Sequence, residues 1–393
     1  MIKEEKFLKK RGRIYIRLNE KYIRNVLERL SEEDKKKLEE NFLKNKEQDY
    51  YFLTIKQAKE FAKKAYVPFG YLVIEKLPIN KEIEEIPYFR KHPNEELPIE
   101  VKELIKDIKE KQDFLNEYLQ ELGNEKLEYV GIAKGLYDPK EIASLVRRYL
   151  DIPKNWTVDE VKSRTDAFKY LRYKAEKAGI FVFLDSVLFG NNNKKLRGFK
   201  GFSLIDDFAP IVFINTNEAK SIQLFTLAHE IAHIFLGKSE ITDFDIFDIS
   251  LERLANKVAV ELLVPERTFK EKFSEDFQQL SKVFKVSEMV LLIRALELKL
   301  IKEDEYRFLM EDYKARLKEL EKEEKKEKYG DYYKTQRNKI SNRFITLLID
   351  AMNNNFISFI DASRLTRMKF KTLENFLKKM TKGWESEIHY RYK

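Results

Sequence analysis

Two of the four histidines in this 393-residue chain stand four residues apart, His229 and His233, inside FTLAHEIAHIFLG, residues 225–237. On a helix that spacing is just over one turn, so both imidazoles share a face and reach one ion. HExxH is the arrangement that sets two nitrogen donors on one zinc. Its glutamate, Glu230, then lies where a reacting water gives up a proton. The flanks predict a helix over about 217–236. Positions 224, 228, 231 and 235 form an apolar stripe, Ala228 and Ala232 allow close packing, and Gly237 is placed to end it. A buried neutral imidazole also survives on hydrogen bonds alone. A spaced pair flanking a glutamate makes the metal reading the stronger one.

Two histidines leave a zinc site one protein ligand short. The next predicted helix, about 248–263, carries SLERLANKVAVELLVPE. On it Glu252, Ala255, Asn256, Ala259, Leu262 and Leu263 share one face. A carboxylate on such a face needs a partner to offset its desolvation, and a metal is one. Glu252 is therefore the expected third ligand. Asp243, Asp245 and Asp248 are rivals that also read as turn and capping residues. Glu261 lies about 180° around the helix and points away. Asn256, one turn after Glu252, is a candidate to orient a ligand, or an ordinary amide.

Composition sets the surroundings. The 12 Gly and 9 Pro compare with about 27 and 20 at average usage, which with abundant Lys, Glu and Leu predicts a mostly helical protein. After Gly179 the pattern changes. IFVFLDSVLF, GFSLIDDF and APIVFIN are short, β-branched and aromatic, and predict a three-stranded sheet just before the metal helix. IVFIN, residues 211–215, is expected at the sheet edge, where an extended peptide could add as a strand. Further helices are expected at about 100–122, 139–150 and 158–178, with a capped one starting after Thr54. The reading is α+β, mostly α. There is no cysteine, so disulfides, thiol catalysis and Cys-ligated zinc are excluded. No apolar run is long enough to span a membrane, no secretory signal is read, and a cytoplasmic protein is expected.

Charge is uneven. Residues 1–75 hold 19 basic against 13 acidic side chains and residues 325–393 hold 16 against 7, while the middle is net acidic. Basic ends fit contact with a polyanion such as DNA, or solvated helix faces. His92 and His389, in a linker and a tail, are expected to be non-catalytic.

FTLAHEIAHIFLG followed by ERLANKVAVELLVP resembles the ImmA/IrrE family of zinc metallopeptidases, and RGFKGFSLIDDFAPIVFIN resembles that family's strands before the active helix. LTIKQAKEFAKKAYVPFGYLVI with IPYFR resembles the Xre-type helix-turn-helix often fused to such peptidases. The resemblance implies a minimal gluzincin-like domain with a His229, His233, Glu252 zinc site and Glu230 as base. It implies a protein substrate, a transcriptional repressor or antitoxin-like partner in stress response or mobile-element control. The expected organisation is an Xre-like module at 1–75, a linker at 76–100, the peptidase domain at 101–270, a helical extension at 271–324 and a basic helical domain at 325–393. The rival reading is a DNA-binding or protein-binding regulator whose zinc site is structural or vestigial.

Overall fold

The computed structural model describes residues 7–10, 13–27, 32–65, 67, 69–74, 99–190, 196, 200–237, 249–323 and 339–387. The described residues divide into two compact units, those up to 106 and those from 107 onward.

The first unit runs β1 (Phe7–Lys10), β2 (Arg13–Asn19), α1 (Glu20–Leu27), α2 (Glu32–Phe42), β3 (Lys46–Glu47), β4 (Tyr50–Thr54), α3 (Ile55–Lys64) and α4 (Phe69–Ile74). Its sheet is antiparallel, in the order β1-β2-β4-β3. The expected helix-turn-helix is not confirmed. KLEENFLKNKEQDYYF, residues 37–52, is the end of α2 followed by the β3–β4 hairpin. A helix-turn-helix needs its second helix directly after the turn. Here an aromatic, β-prone YYFLT takes that place and pairs with β2. In β2, Ile16 and Leu18 are buried while Tyr15, Arg17 and Asn19 between and beside them are only partly so, the period-two burial of a strand. Thr54 caps α3 as expected, its hydroxyl accepting from the Gln57 amide while the Gln57 side chain accepts from the Thr54 N–H.

The second unit contains most of the long helix α5 (Ile99–Glu121), then α6 (Pro139–Leu150), α7 (Trp156–Asp159), α8 (Arg164–Ala178), β5 (Phe181–Asp185), β6 (Gly201–Leu204), β7 (Ile211–Asn215), α9 (Lys220–Leu236) and α10 (Ile249–Leu263). It continues with α11 (Glu266–Lys272), α12 (Phe277–Phe284), α13 (Glu288–Glu297), α14 (Glu303–Glu323), α15 (Asn342–Asn353), α16 (Phe359–Thr366) and α17 (Phe370–Glu387). The mostly helical α+β class is what the structure has. The single helix expected at 158–178 is two, because Ser163 caps the start of α8 by accepting from the Asp166 N–H.

The sheet order is β5-β7-β6, β7 parallel to β5 and antiparallel to β6. IVFIN is thus the central strand, which overturns its expected edge position. The sequence offers no alternation to reveal this, since every residue of β7 is buried. Proline at Val212 removes a ladder donor from a strand paired on both sides. The expected result is loss of the cooperative thermal transition, read by circular dichroism. A Val212→Pro chain that melts like the parent would contradict the central position.

α9 packs against β6 and β7 on one side and against α8 and α10 on the others. All its residues except Lys220, Ile222 and Phe225 are buried, which is why it is apolar around most of its circumference. Its C-terminal carbonyls are occupied by the loop after α5: Gly131 N–H donates to Ile234 O at 3.0 Å and Ala133 N–H to Phe235 O at 2.8 Å. The last turn of α10 is held from the side. Arg147 donates to Glu261 O, Trp156 Nε1 to Leu262 O at 3.1 Å, and Thr157 Oγ1 to Leu263 O at 2.8 Å. These contacts occupy carbonyls a helix end leaves unpaired and fix the rotation of α10.

Candidate metal centre

With both helices pinned, His229 and His233 on α9 face Glu252 in the first turn of α10. The two Nε2 atoms are 3.0 Å apart. Glu252 Oε2 lies 3.2 Å from His229 Nε2, and Oε1 lies 3.1 Å from His233 Nε2. Three donor atoms thus converge on one point, the only such group of three among the described residues. Ligands about 2.0–2.1 Å from a tetrahedral zinc stand about 3.3 Å from one another, close to the triangle seen. Glu252 Oε2 is enclosed and makes no hydrogen bond, and a buried carboxylate oxygen without a donor is costly unless a cation answers it. The residues present therefore fit a zinc ion.

The electrostatics agree with the geometry. Burial alone would raise the Glu252 carboxyl, but the two imidazoles outweigh it and hold the group well below the usual carboxylate range. Burial alone would lower His233, yet Glu252 and then Glu230 draw it upward. Glu261, on the far side of α10, is buried in an ion pair with Arg294 and is not part of this group.

Glu230 is only 3% exposed, and Ser203 Oγ on β6 donates to its Oε2 at 2.8 Å. Burial pushes its carboxyl up, against the pull of the neighbouring histidines. One hydroxyl in GFSLIDDF carries no signal until β6 is laid beside α9. Asn256 lines the same cavity as His229 and Glu230, and no hydrogen bond joins it to either histidine or to Glu252 among the described residues. Asp243, Asp245 and Asp248, the rival ligands, lie outside the described residues, as do His92, His389 and the linker up to residue 98.

The cavity holds about 490 Å³ and is lined by His229, one of the three donor residues, and by Glu230. Its walls come from α9, α10 and, unexpectedly, α13. A bare structural site has no need of an open cavity or of a buried carboxylate without ligand geometry. Both are present.

Residues 175–296 match the model of the M78 peptidase family, described as the IrrE N-terminal-like domain. No curated protein and no solved structure matches the chain. The match runs from the last turn of α8 to within the last turn of α13 and so contains the histidines, both glutamates and the cavity lining except Glu297. No helix among the described residues is long and apolar enough to cross a membrane.

Proposed function

We propose that this chain is a zinc-dependent endopeptidase that cleaves a protein partner. The observation that carries the reading is the convergence of His229, His233 and Glu252 within 3.0–3.2 Å, next to the buried Glu230, with His229 and Glu230 lining an open cavity. The M78 match over this stretch supports it. A zinc ion on the three side chains would polarise the scissile carbonyl and make water easier to deprotonate. Glu230 takes the proton of the attacking water and passes it to the leaving amine. A carboxyl raised by burial keeps such a proton better than an exposed one, which suits a group that must accept and then deliver. Ser203 fixes which way that carboxylate faces. Asn256, one turn from Glu252, is placed to contact substrate or a ligand. The partner is proposed to be a repressor or antitoxin-like regulator, on the ImmA/IrrE resemblance. Incubating the zinc-loaded chain with the proteins encoded beside its gene tests this. Cleavage that a chelator stops supports it, and intact partners oppose it.

The metal itself gives a separate expectation. The chain should bind about one zinc, and Glu252→Ala should weaken binding more than about 100-fold, since even outer partners of zinc ligands are worth about 10–100-fold. Metal analysis after dialysis against a competing chelator reads this. Full occupancy in the variant would move the third ligand to another carboxylate.

One observation favours the second reading, a nucleic-acid-binding regulator. α16 and α17 are joined by the three-residue turn Arg367, Met368, Lys369, with Arg367 left-handed at φ 57°. That is a helix-turn-helix connection, and Arg364, Lys369 and Lys371 on it are exposed. Under this reading nucleic-acid contact belongs to the C-terminal helices and not to the N-terminal sheet.

A further inference from the structure

α12, the turn Lys285–Ser287 and α13 form another helix-turn-helix, with Lys285 left-handed at φ 61°. Its second helix is wrong for reading DNA. The exposed stripe of α13 is Met289, Ile293 and Glu297, at i, i+4 and i+8, with no cation. That stripe lines the cavity beside His229 and Glu230 instead. Met289 and Ile293 are 40% and 36% exposed, high for apolar side chains in a cavity wall. Opposite them, Phe225 on α9 and Val260 on α10 complete an apolar trough. The rim of α10 is different in kind. Arg253 and Lys257 sit one turn apart, both exposed, both lining the cavity, and neither has an ion-pair partner among the described residues. On the neighbouring helices α11 and α14, exposed cations pair at one-turn spacing, as Lys270 does with Glu266 and Arg307 with Glu303.

We propose that the groove between α9, α10 and α13 seats an amphipathic segment of the protein substrate. An apolar side chain enters between Phe225, Val260 and Ile293, and an acidic residue beside it meets Arg253 and Lys257. This rests on the peptidase reading and adds what that site selects. The cavity volume of about 490 Å³ lies within the range of about 300–1,000 Å³ typical of ligand pockets. Methionine in the wall suits a surface that adapts to more than one apolar shape. An unpaired cation pair at the rim supplies the charge complementarity that sets register and rejects the wrong partner.

The test separates binding from cleavage. The full-length Glu230→Gln chain, zinc-loaded, is titrated into fluorescein-labelled peptides of about twelve residues, short enough to be largely unfolded alone. One carries a central leucine flanked by glutamates, one the same leucine flanked by lysines, one a central alanine flanked by glutamates. Anisotropy should show the acidic leucine peptide binding about tenfold or more tighter than either other peptide. Arg253→Glu with Lys257→Glu should reverse the charge preference. Ile293→Asp should weaken leucine-peptide binding at unchanged zinc content and melting temperature; Met289→Glu, at a more exposed position, serves if Ile293→Asp melts early. Equal binding of the three peptides, no binding of any, or a preference that survives the charge reversal overturns the proposal. Selective binding with no cleavage by the parent chain leaves the groove standing and sinks the peptidase reading. Cleavage without peptide preference does the opposite.

Discussion

Glu230→Gln should cut cleavage by about 10²–10⁴-fold, the usual worth of a general base, while zinc stays bound and the fold stays intact. The replacement keeps shape, and the glutamine oxygen still accepts from Ser203 Oγ, now 2.8 Å from the carboxylate. What is lost is the negative charge and the ability to take a proton. Because burial disfavours the charged form of Glu230, the neutral amide should leave the melting temperature unchanged or raise it. The combination matters more than the loss of activity alone. A variant that unfolds or sheds zinc would also be inactive, but for a structural reason. Time courses on a partner that the parent chain cleaves, run beside metal analysis and thermal melts, separate the two. Undiminished cleavage by Glu230→Gln removes the residue from the mechanism. A partner bound by both forms and cut by neither favours the regulator reading.

The parts legible in the sequence were those specified by local pattern. α9 and α10 announce themselves by apolar spacing at 3.6 residues and by Gly237, and Glu252 by being a carboxylate on an otherwise apolar face. What the sequence hides is where distant segments meet. The partner of β2 is β4, with Tyr15 set against Thr54, and no local count contains that pairing. β7 reads as a plausible edge because its apolar run Ile211–Ile214 shows no alternation; its central place follows only from β5 and β6 on either side. Ser203 and the α13 stripe matter only because β6 and α13 arrive beside α9, and a serine or a methionine carries no sign of that in one dimension.

Gly237→Ala is expected to be among the most damaging single changes outside the metal residues. Sequence alone suggests a mild effect, since Gly237 reads as a helix-ending glycine in left-handed conformation, and φ is indeed 65°. That conformation costs an alanine about 1–2 kcal/mol. The structure adds a second penalty. A Cβ on Gly237 would stand 2.3 Å from Gly131 Cα, far inside contact distance, and what it meets is backbone. Gly131 cannot step aside cheaply, because its N–H is bonded to Ile234 O and the neighbouring Ala133 N–H to Phe235 O. Relief means pulling that loop off the end of α9, unpairing carbonyls in the interior, each worth about 1–3 kcal/mol if left unsatisfied. With both carbonyls unpaired the sum is about 3–8 kcal/mol, a large share of the stability of an ordinary domain. The last turn of α9 carries His233, so the same displacement should loosen zinc as well. Gly131→Ala is the matching control. It is also left-handed, at φ 72°, but its added Cβ would lie 3.3 Å from Gly237 Cα, a much milder approach, so it should cost clearly less. Melting temperature and zinc affinity measured on both variants decide the matter: equal, small losses for the two would show that the glycines do not meet as described.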